Sequence, residues 1–413
     1  MITANRLILF RDILYDAIIH NALKLINNAN NNNEKEELYF SLQSALLQKM
    51  KNVHFCGSYW QGYLAFKIAS SENAFSLGCE TEIEDEDILK IAIKDFEIIK
   101  KLYNVDWSVI AESFGDADSS VFLSERTSAN SIRKKIHDAL TGQDNISGMS
   151  LLKEYYAEKG CGIFERYDAF KWNEDKGLSG IESYDPITFE DLTGYEKQKN
   201  QLIENTEFFL KGMKANNILL YGDRGTGKSS SVKALLNKYK NKKLKMIEIK
   251  KEQFYCFPDI INSIKKRGYK FVIFIDDLSF EDFETDYKHF KAVIEGGLEV
   301  RPQNVVIYAT SNRRNIIKEA WKDQAEINGD VHISDSIQEK VSLADRFGIT
   351  ITYPAPDKNL FLKIVMDLAH NENLNMDKDA LLEEALKLEM LYHGRSGRSA
   401  RQFIDYMTSK VNQ

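Results

Sequence analysis

The residues from Gly222 to Ser229 read Gly-Asp-Arg-Gly-Thr-Gly-Lys-Ser. This G-x-x-x-x-G-K-S spacing has one well-defined chemistry, the binding of a polyphosphate. Glycines let the backbone curl so that successive N–H groups converge on phosphate oxygens. A helix starting there adds its positive end. Lys228 is placed to neutralise the β/γ-phosphates, and Ser229 to ligate Mg²⁺. Asp223, Arg224, Gly225, Thr226, Gly227 and Ser230 complete the stretch. By chance this spacing arises on the order of once in a hundred chains of this length. Further along, Phe271–Asp277 is an apolar run that ends in two carboxylates, Asp276 and Asp277. A buried strand needs such a run, and ligands bind at its carboxyl end in open α/β sheets. Asp276 is expected to hold Mg²⁺, directly or through water, and Asp277 to orient and polarise an attacking water.

Elements of the right kind surround these residues. Asn217–Tyr221 reads as a strand leading into the glycines, and Ser230–Tyr239 as the helix leaving them. Leu244–Ile249, Phe271–Ile275, Val305–Thr310 and Ile349–Tyr353 read as four further strands separated by helical stretches. Such alternation predicts a parallel five-stranded sheet with helices on both faces. After Pro354 and Pro356 the pattern is helical only, at about 357–371, 377–391 and 396–411. Upstream, Lys171–Pro186 carries Gly177, Gly180 and Pro186 among polar residues and reads as a linker. The chain therefore divides into a mostly helical 1–180, an α/β body over 186–353 and a helical tail over 354–413.

The front half is less specific. Leu7–Ile26 has an apolar stripe at helical spacing, and Glu36–Met50 and Ile88–Tyr103 resemble it. Asn27–Asn33 contains six asparagines and reads as a loop. Glu80–Asp87 is an acidic run, ordinarily a solvated face but open to a basic partner. The pattern over 162–172 is ambiguous and fits a strand.

Composition excludes several classes. The chain has 413 residues, 43% apolar and 28% charged, within the range of globular domains. Four dispersed cysteines with no C-x-x-C pair argue against a disulfide framework or a zinc site, and for free thiols in a reducing cytoplasm. No signal-peptide pattern opens the chain. The apolar runs are too short to span a bilayer, so no membrane partner is expected. Residues 1–185 hold 20 basic and 29 acidic side chains, net −9, leaving 35 and 33 over 186–413, net +2. An acidic front half disfavours a phosphate-backbone partner there.

Taken in order, the motifs resemble the AAA+ ATPases. Ile307-Tyr-Ala-Thr-Ser-Asn312 ends where that superfamily places its sensor-1 residue, which implies Asn312 beside the γ-phosphate and the water. Leu343-Ala-Asp-Arg-Phe-Gly348 places Arg346 at the position of the arginine finger that reaches into a neighbouring subunit's site. Gly394-Arg-Ser-Gly-Arg-Ser-Ala-Arg-Gln-Phe403 resembles the sensor-2 region, with Arg398 preferred and Arg395 and Arg401 as alternatives. Phe189–Tyr195 resembles the segment that packs on adenine, implicating Leu192 and Tyr195. The stretches Leu219–Ser230, Glu295–Pro302, Ile307–Arg314 and Ser342–Gly348 are similar to a bacterial family of AAA+ ATPases known only as a domain of unknown function. Ala74–Glu80 is reminiscent of it too.

That resemblance implies a P-loop α/β domain with a C-terminal helical lid, ATP and Mg²⁺ as ligands, and hydrolysis at subunit interfaces of a hexamer-like ring or open helix. The N-terminal domain would then be an adaptor that selects a protein client for remodelling. Two features depart from the superfamily. Asp277 stands where Glu is usual, which sets its carboxylate about 1.5 Å further back. Only Gly296–Asn304 separates the third helix from the fourth strand, leaving no room for the extra hairpin of the protease-unfoldase branches. A rival reading is a nucleic-acid-associated ATPase of the initiator or helicase-loader kind, which shares Asp-Asp. It draws on the lysines between Lys233 and Lys250 and on Lys265-Lys-Arg267, but no aromatic interleaving accompanies them. A slow, nucleotide-gated scaffold is a third.

Overall fold

A computed structural model describes residues 3–27, 32–51, 53–116, 121–123, 126, 133–240, 242–278, 302–312, 347–391 and 394–411. The chain separates into two compact units, Met1–Arg166 and Tyr167–Gln413.

The first unit is helical. It contains α1 (Ala17–Ile26), α2 (Asn32–Met50), α3 (Tyr59–Ser70), α4 (Ala74–Thr81), α5 (Glu86–Tyr103), α6 (Ser108–Ser113), α7 (Lys134–Thr141), α8 (Asn145–Lys159) and α9 (Ile163–Arg166). Leu7–Ile26 is not one helix. Short 3-10 turns at Ala4–Arg6 and Arg11–Tyr15 precede α1. The cause is two carboxylates. Buried Asp95 accepts hydrogen bonds from the backbone N–H groups of Ile8, Leu9 and Phe10 at 2.7–3.1 Å, withdrawing them from any helical ladder. Asp16 is extended and accepts from the N–H groups of Ile18 and Ile19, which caps α1. The asparagine run does not all lie outside helix, because α2 begins at Asn32. Trp60, Tyr39, Phe96, Tyr103, Tyr155 and Tyr156 are fully buried in the core of this unit. The Trp60 indole is satisfied by Leu102 O at 2.9 Å.

The second unit is built on a seven-stranded, mostly parallel sheet, not a five-stranded one. The strands are β1 (Ala169–Asn173), β2 (Gly177–Gly180), β3 (Ile218–Gly222), β4 (Leu244–Glu248), β5 (Lys270–Ile275), β6 (Val305–Ser311) and β7 (Ile349–Tyr353). Their order is β2-β1-β4-β5-β6-β3-β7. The two added strands form an antiparallel hairpin, and β1 lies parallel to β4 at the sheet edge. Residues 171–180 are therefore part of the sheet, and the division between units falls before Tyr167. The hairpin is bound to the sheet by Met246 N donating to Asp168 O at 2.9 Å. Buried Lys245 adds an ion pair to Asp168 at 2.8 Å and a hydrogen bond to Tyr167 O at 2.7 Å. One lysine of the basic run is thus structural, and Lys238 and Lys242 lie over the Tyr239 ring.

Helices α10 (Glu196–Leu210), α11 (Lys228–Lys238) and α12 (Phe257–Ile264) accompany the sheet. The tail forms α13 (Lys358–Asn371), α14 (Lys378–Leu391) and α15 (Gly397–Val411), with a small core of their own around Phe361, Val365, Leu381 and Ile404. Strands β3, β5 and β6 lie side by side, so their carboxyl ends, and the loops that leave them, share one edge of the sheet. Among the described residues no helix is long and apolar enough to cross a membrane. The four cysteines are free thiols.

Candidate functional site

Strand β3 delivers the chain to Gly222, whose φ of +139° is open only to glycine. A Cβ there would sit 2.0 Å from Tyr353 O on β7. Asp223 continues the turn, its N–H donating to Tyr353 O at 3.2 Å and its carboxylate accepting from Ala355 N at 2.9 Å. Gly225 and Gly227 are also left-handed, and Gly227 caps α11. Thr226 Oγ1 closes the loop onto Asp223 O at 2.9 Å.

Gly222→Ala should cost more than about 3 kcal/mol of folding stability, from overpacking against backbone that cannot retreat plus a strained φ. Gly212→Ala is the matched control. It is also left-handed, at φ +73°, but has open space around it, so about 1 kcal/mol is expected. Urea titration of both variants measures the difference, and equal losses would remove the steric argument.

Lys228 opens α11 with only 4% of its surface exposed. Its Nζ donates to Gly222 O at 2.9 Å and to Asp223 O at 2.7 Å. Burial pushes the ammonium below the ordinary lysine range, while Asp223, Asp277 and Asp276 pull it back. A cation held this way inside a curl of backbone is a socket for negative charge.

The two acids leave β5 in different directions. Asp276 Oδ1 accepts from Ser229 Oγ at 2.6 Å and from Thr310 Oγ1 at 2.6 Å. Asp277 adopts φ +54°, a left-handed conformation that Asp tolerates better than most residues. Its N–H donates to Thr310 Oγ1 at 2.9 Å, and its carboxylate accepts from Asn312 Nδ2. Thr310, on β6, therefore fixes both acids at once. Sequence reading passed over it, although a threonine two residues before Asn312 on the adjoining strand was the available signal.

These groups line one cavity of about 680 Å³, within the range of small-molecule sites. Arg224, Gly225, Thr226, Gly227, Lys228, Ser229 and Ser230 all face it, as do Asp276, Asp277 and Asn312. Leu192 and Tyr195 form an apolar wall with Ile364 and Leu368 of α13. Tyr195 is positioned by its hydroxyl donating to Pro354 O at 2.7 Å and by its ring lying 5.1 Å from that of Tyr353. Burial raises its phenol to about 12. Leu192 is held through its carbonyl, which accepts from Lys199 Nζ at 2.7 Å. Gly222 and Asp223 shape the loop from behind rather than lining the cavity.

The helical tail closes the opposite side. Gly397 N donates to Gly225 O at 2.8 Å, so α15 begins directly on the glycine loop. Ser396 and Ser399 cap that start reciprocally, each side chain accepting from the other's N–H at 3.0 Å. The arginine alternatives now separate. Arg398 and Arg401 line the cavity and Arg395 does not. Arg401 is ion-paired with Glu372 at 2.8 Å, while the Arg398 stem packs at Gly225. Thr193 Oγ1 also ties the wall to α13 through Asp367 at 2.6 Å. Arg346 lies outside the described residues, and so does most of Gly296–Asn304.

No curated protein matches the chain. A family profile does match over residues 165–411, from just before the first strand of the sheet to the last helix. The protein belongs, over that more than half of its length, to the family described as Protein of unknown function (DUF815).

Proposed function

We propose that the protein is an AAA+ ATPase that hydrolyses ATP with water to ADP and inorganic phosphate. The observation that carries this reading is buried Lys228, hydrogen-bonded into a left-handed glycine loop and facing the Ser229–Asp276 pair across one cavity. The loop N–H groups and Lys228 would hold the β- and γ-phosphates, and Leu192 and Tyr195 would hold the adenine.

Mg²⁺ fits the donors present. Ser229 Oγ and Asp276 Oδ1 are 2.6 Å apart at the phosphate end. Among the described residues no group of three or more His, Cys, Asp or Glu is placed to hold a metal ion. Mg²⁺ is suited to such a spare site, because it keeps waters and takes substrate phosphate oxygens as ligands. When bound, it neutralises charge developing between the β- and γ-phosphates. Asp277 would accept the proton of the attacking water, with Asn312 orienting both. Thr310 holds the two acids in register, and Arg398 brings positive charge from the tail to the γ-phosphate.

Arg346 would complete a neighbouring subunit's site, making a ring or open helix the working form. The client would be a protein chosen by the N-terminal unit. Turnover should be measurable with ATP and Mg²⁺, and lost with EDTA. Arg346→Ala should bind ATP normally and hydrolyse it about 10³-fold more slowly. Mixing it with Lys228→Ala subunits should restore part of the rate, since intact loops then face intact arginines. A monomer at all concentrations, with dilution-independent turnover, would remove the shared site. Parallel assays with DNA and RNA test the nucleic-acid alternative, where strong stimulation is the deciding outcome.

A further inference from the structure

We infer that an apolar cleft in the N-terminal unit docks a partner-protein segment bearing one large apolar side chain flanked by lysines or arginines. The cleft lies among α4, α5 and α8 and measures about 390 Å³, at the low end for a binding pocket. Phe75, Ile88, Leu89 and Ala157 line it. Ile83 stands at its rim, 70% exposed.

The backbone explains why Ile83 is there. Helix α4 ends with Glu82 left-handed at φ +61°, and Ile83 N reaches back to Gly78 O at 2.9 Å. This ending usually folds the following apolar residue onto the helix, yet here it is left out beside the cleft.

The rim decides the occupant. Glu82, Glu84, Asp85, Glu86 and Glu154 line the cleft against one cation, Lys153, for a net −4. Lys153 is already paired with Glu84 at 3.0 Å. The acidic run therefore frames an apolar hole and is not merely a solvated face. Its sign repels nucleic acid and the anionic surface of a membrane. It attracts a cationic peptide and steers its approach. Docking here is independent of the ATPase reading, because every residue named in the cleft belongs to the first unit.

The test uses the full chain without nucleotide and a fluorescein-labelled peptide, Lys-Arg-Ser-Phe-Ser-Lys-Arg. Controls are the same peptide with glycine for phenylalanine, and one with Glu and Asp for its cations. Anisotropy should show the phenylalanine peptide binding at least tenfold tighter than either control, and weakening with salt. It should also protect Cys79, a half-buried thiol in the cleft wall, from alkylation, the other three cysteines being buried. Ala157→Trp fills the cleft and should abolish binding. The double change Glu84→Lys with Glu86→Lys lies on exposed positions and should weaken binding at least tenfold with unchanged melting. Equal binding of the glycine peptide, binding of the acidic one, or full binding by the charge-reversed protein overturns the proposal. So does protection of Cys79 by rising protein concentration alone, which would seat a second copy in the cleft.

Discussion

Lys228→Ala is expected to abolish ATP binding and leave a folded protein. In the parent, ATP and Mg²⁺ at a hundred times Kd should stabilise the fold by about 2.7 kcal/mol. For a domain of this size that raises Tm by roughly 5–10 °C. In the variant the shift should be absent. The substitution removes two hydrogen bonds to Gly222 O and Asp223 O, but it also removes a desolvated ammonium. These effects oppose each other, so the variant without ligand should melt within a few degrees of the parent.

A pH series separates the two contributions. Burial lowers the folded-state pKa of Lys228, so the unfolded chain keeps that proton to higher pH than the native state. Stability contributed by this group therefore rises with pH up to the ordinary lysine range. Lys228→Ala should flatten that rise. An undiminished ATP-induced shift in the folded variant would take phosphate binding away from the glycine loop.

The legible parts of this molecule are those where local chemistry and chain direction agree. The five parallel strands were visible because each is a short run that is apolar or, in β7, alternates Ile with Thr. Glycine loop, acids and Asn312 were visible because they sit at strand ends, where the side-chain types announce chemistry. The hairpin β1–β2 was not, beyond an ambiguous strand signal over 162–172 whose end coincides with β1 and whose start is α9. Gly177 and Gly180 punctuate it as they would a linker, and its pairing depends on Asp168 and Lys245, 77 residues apart. Such a pair has no local signature. Leu7–Ile26 failed for a related reason. Its apolar spacing fits a helix, but Asp95, far along the chain, captures the amides of Ile8–Phe10. Thr310 shows the converse: its type was unremarkable, and only adjacency of β5 and β6 gives it two acids to hold. Sequence preferred Arg398 but left Arg401 open, because the Glu372 that pairs with Arg401 lies 29 residues away, just past the end of α13.

Asp277→Asn should bind ATP with near-parental affinity and turn it over about 10²–10⁴ times more slowly, the usual worth of a positioned general base. The geometry makes this change cleaner than an alanine. Asp277 is left-handed at φ +54°, and asparagine is among the residues that accept that region most readily. Its amide oxygen can still accept from Asn312 Nδ2, and its N–H can still donate to Thr310 Oγ1, as in the parent. What disappears is the negative charge that, on the proposed mechanism, would take a proton from water. Glutamate, the residue the superfamily resemblance leads one to expect, is the informative companion. It restores the charge and extends the carboxylate by about 1.5 Å, while costing roughly 1 kcal/mol in a left-handed position. If the short side chain limits catalysis, Asp277→Glu should be less stable but faster. If Asn312 and Thr310 already set Asp277 at the right reach, it should be both less stable and slower. Single-turnover kinetics with equilibrium ATP binding measures both variants. Parental turnover by Asp277→Asn would show that another group activates the water, with Asp276 the first to change next. A parallel loss of affinity and rate would make Asp277 a binding residue instead.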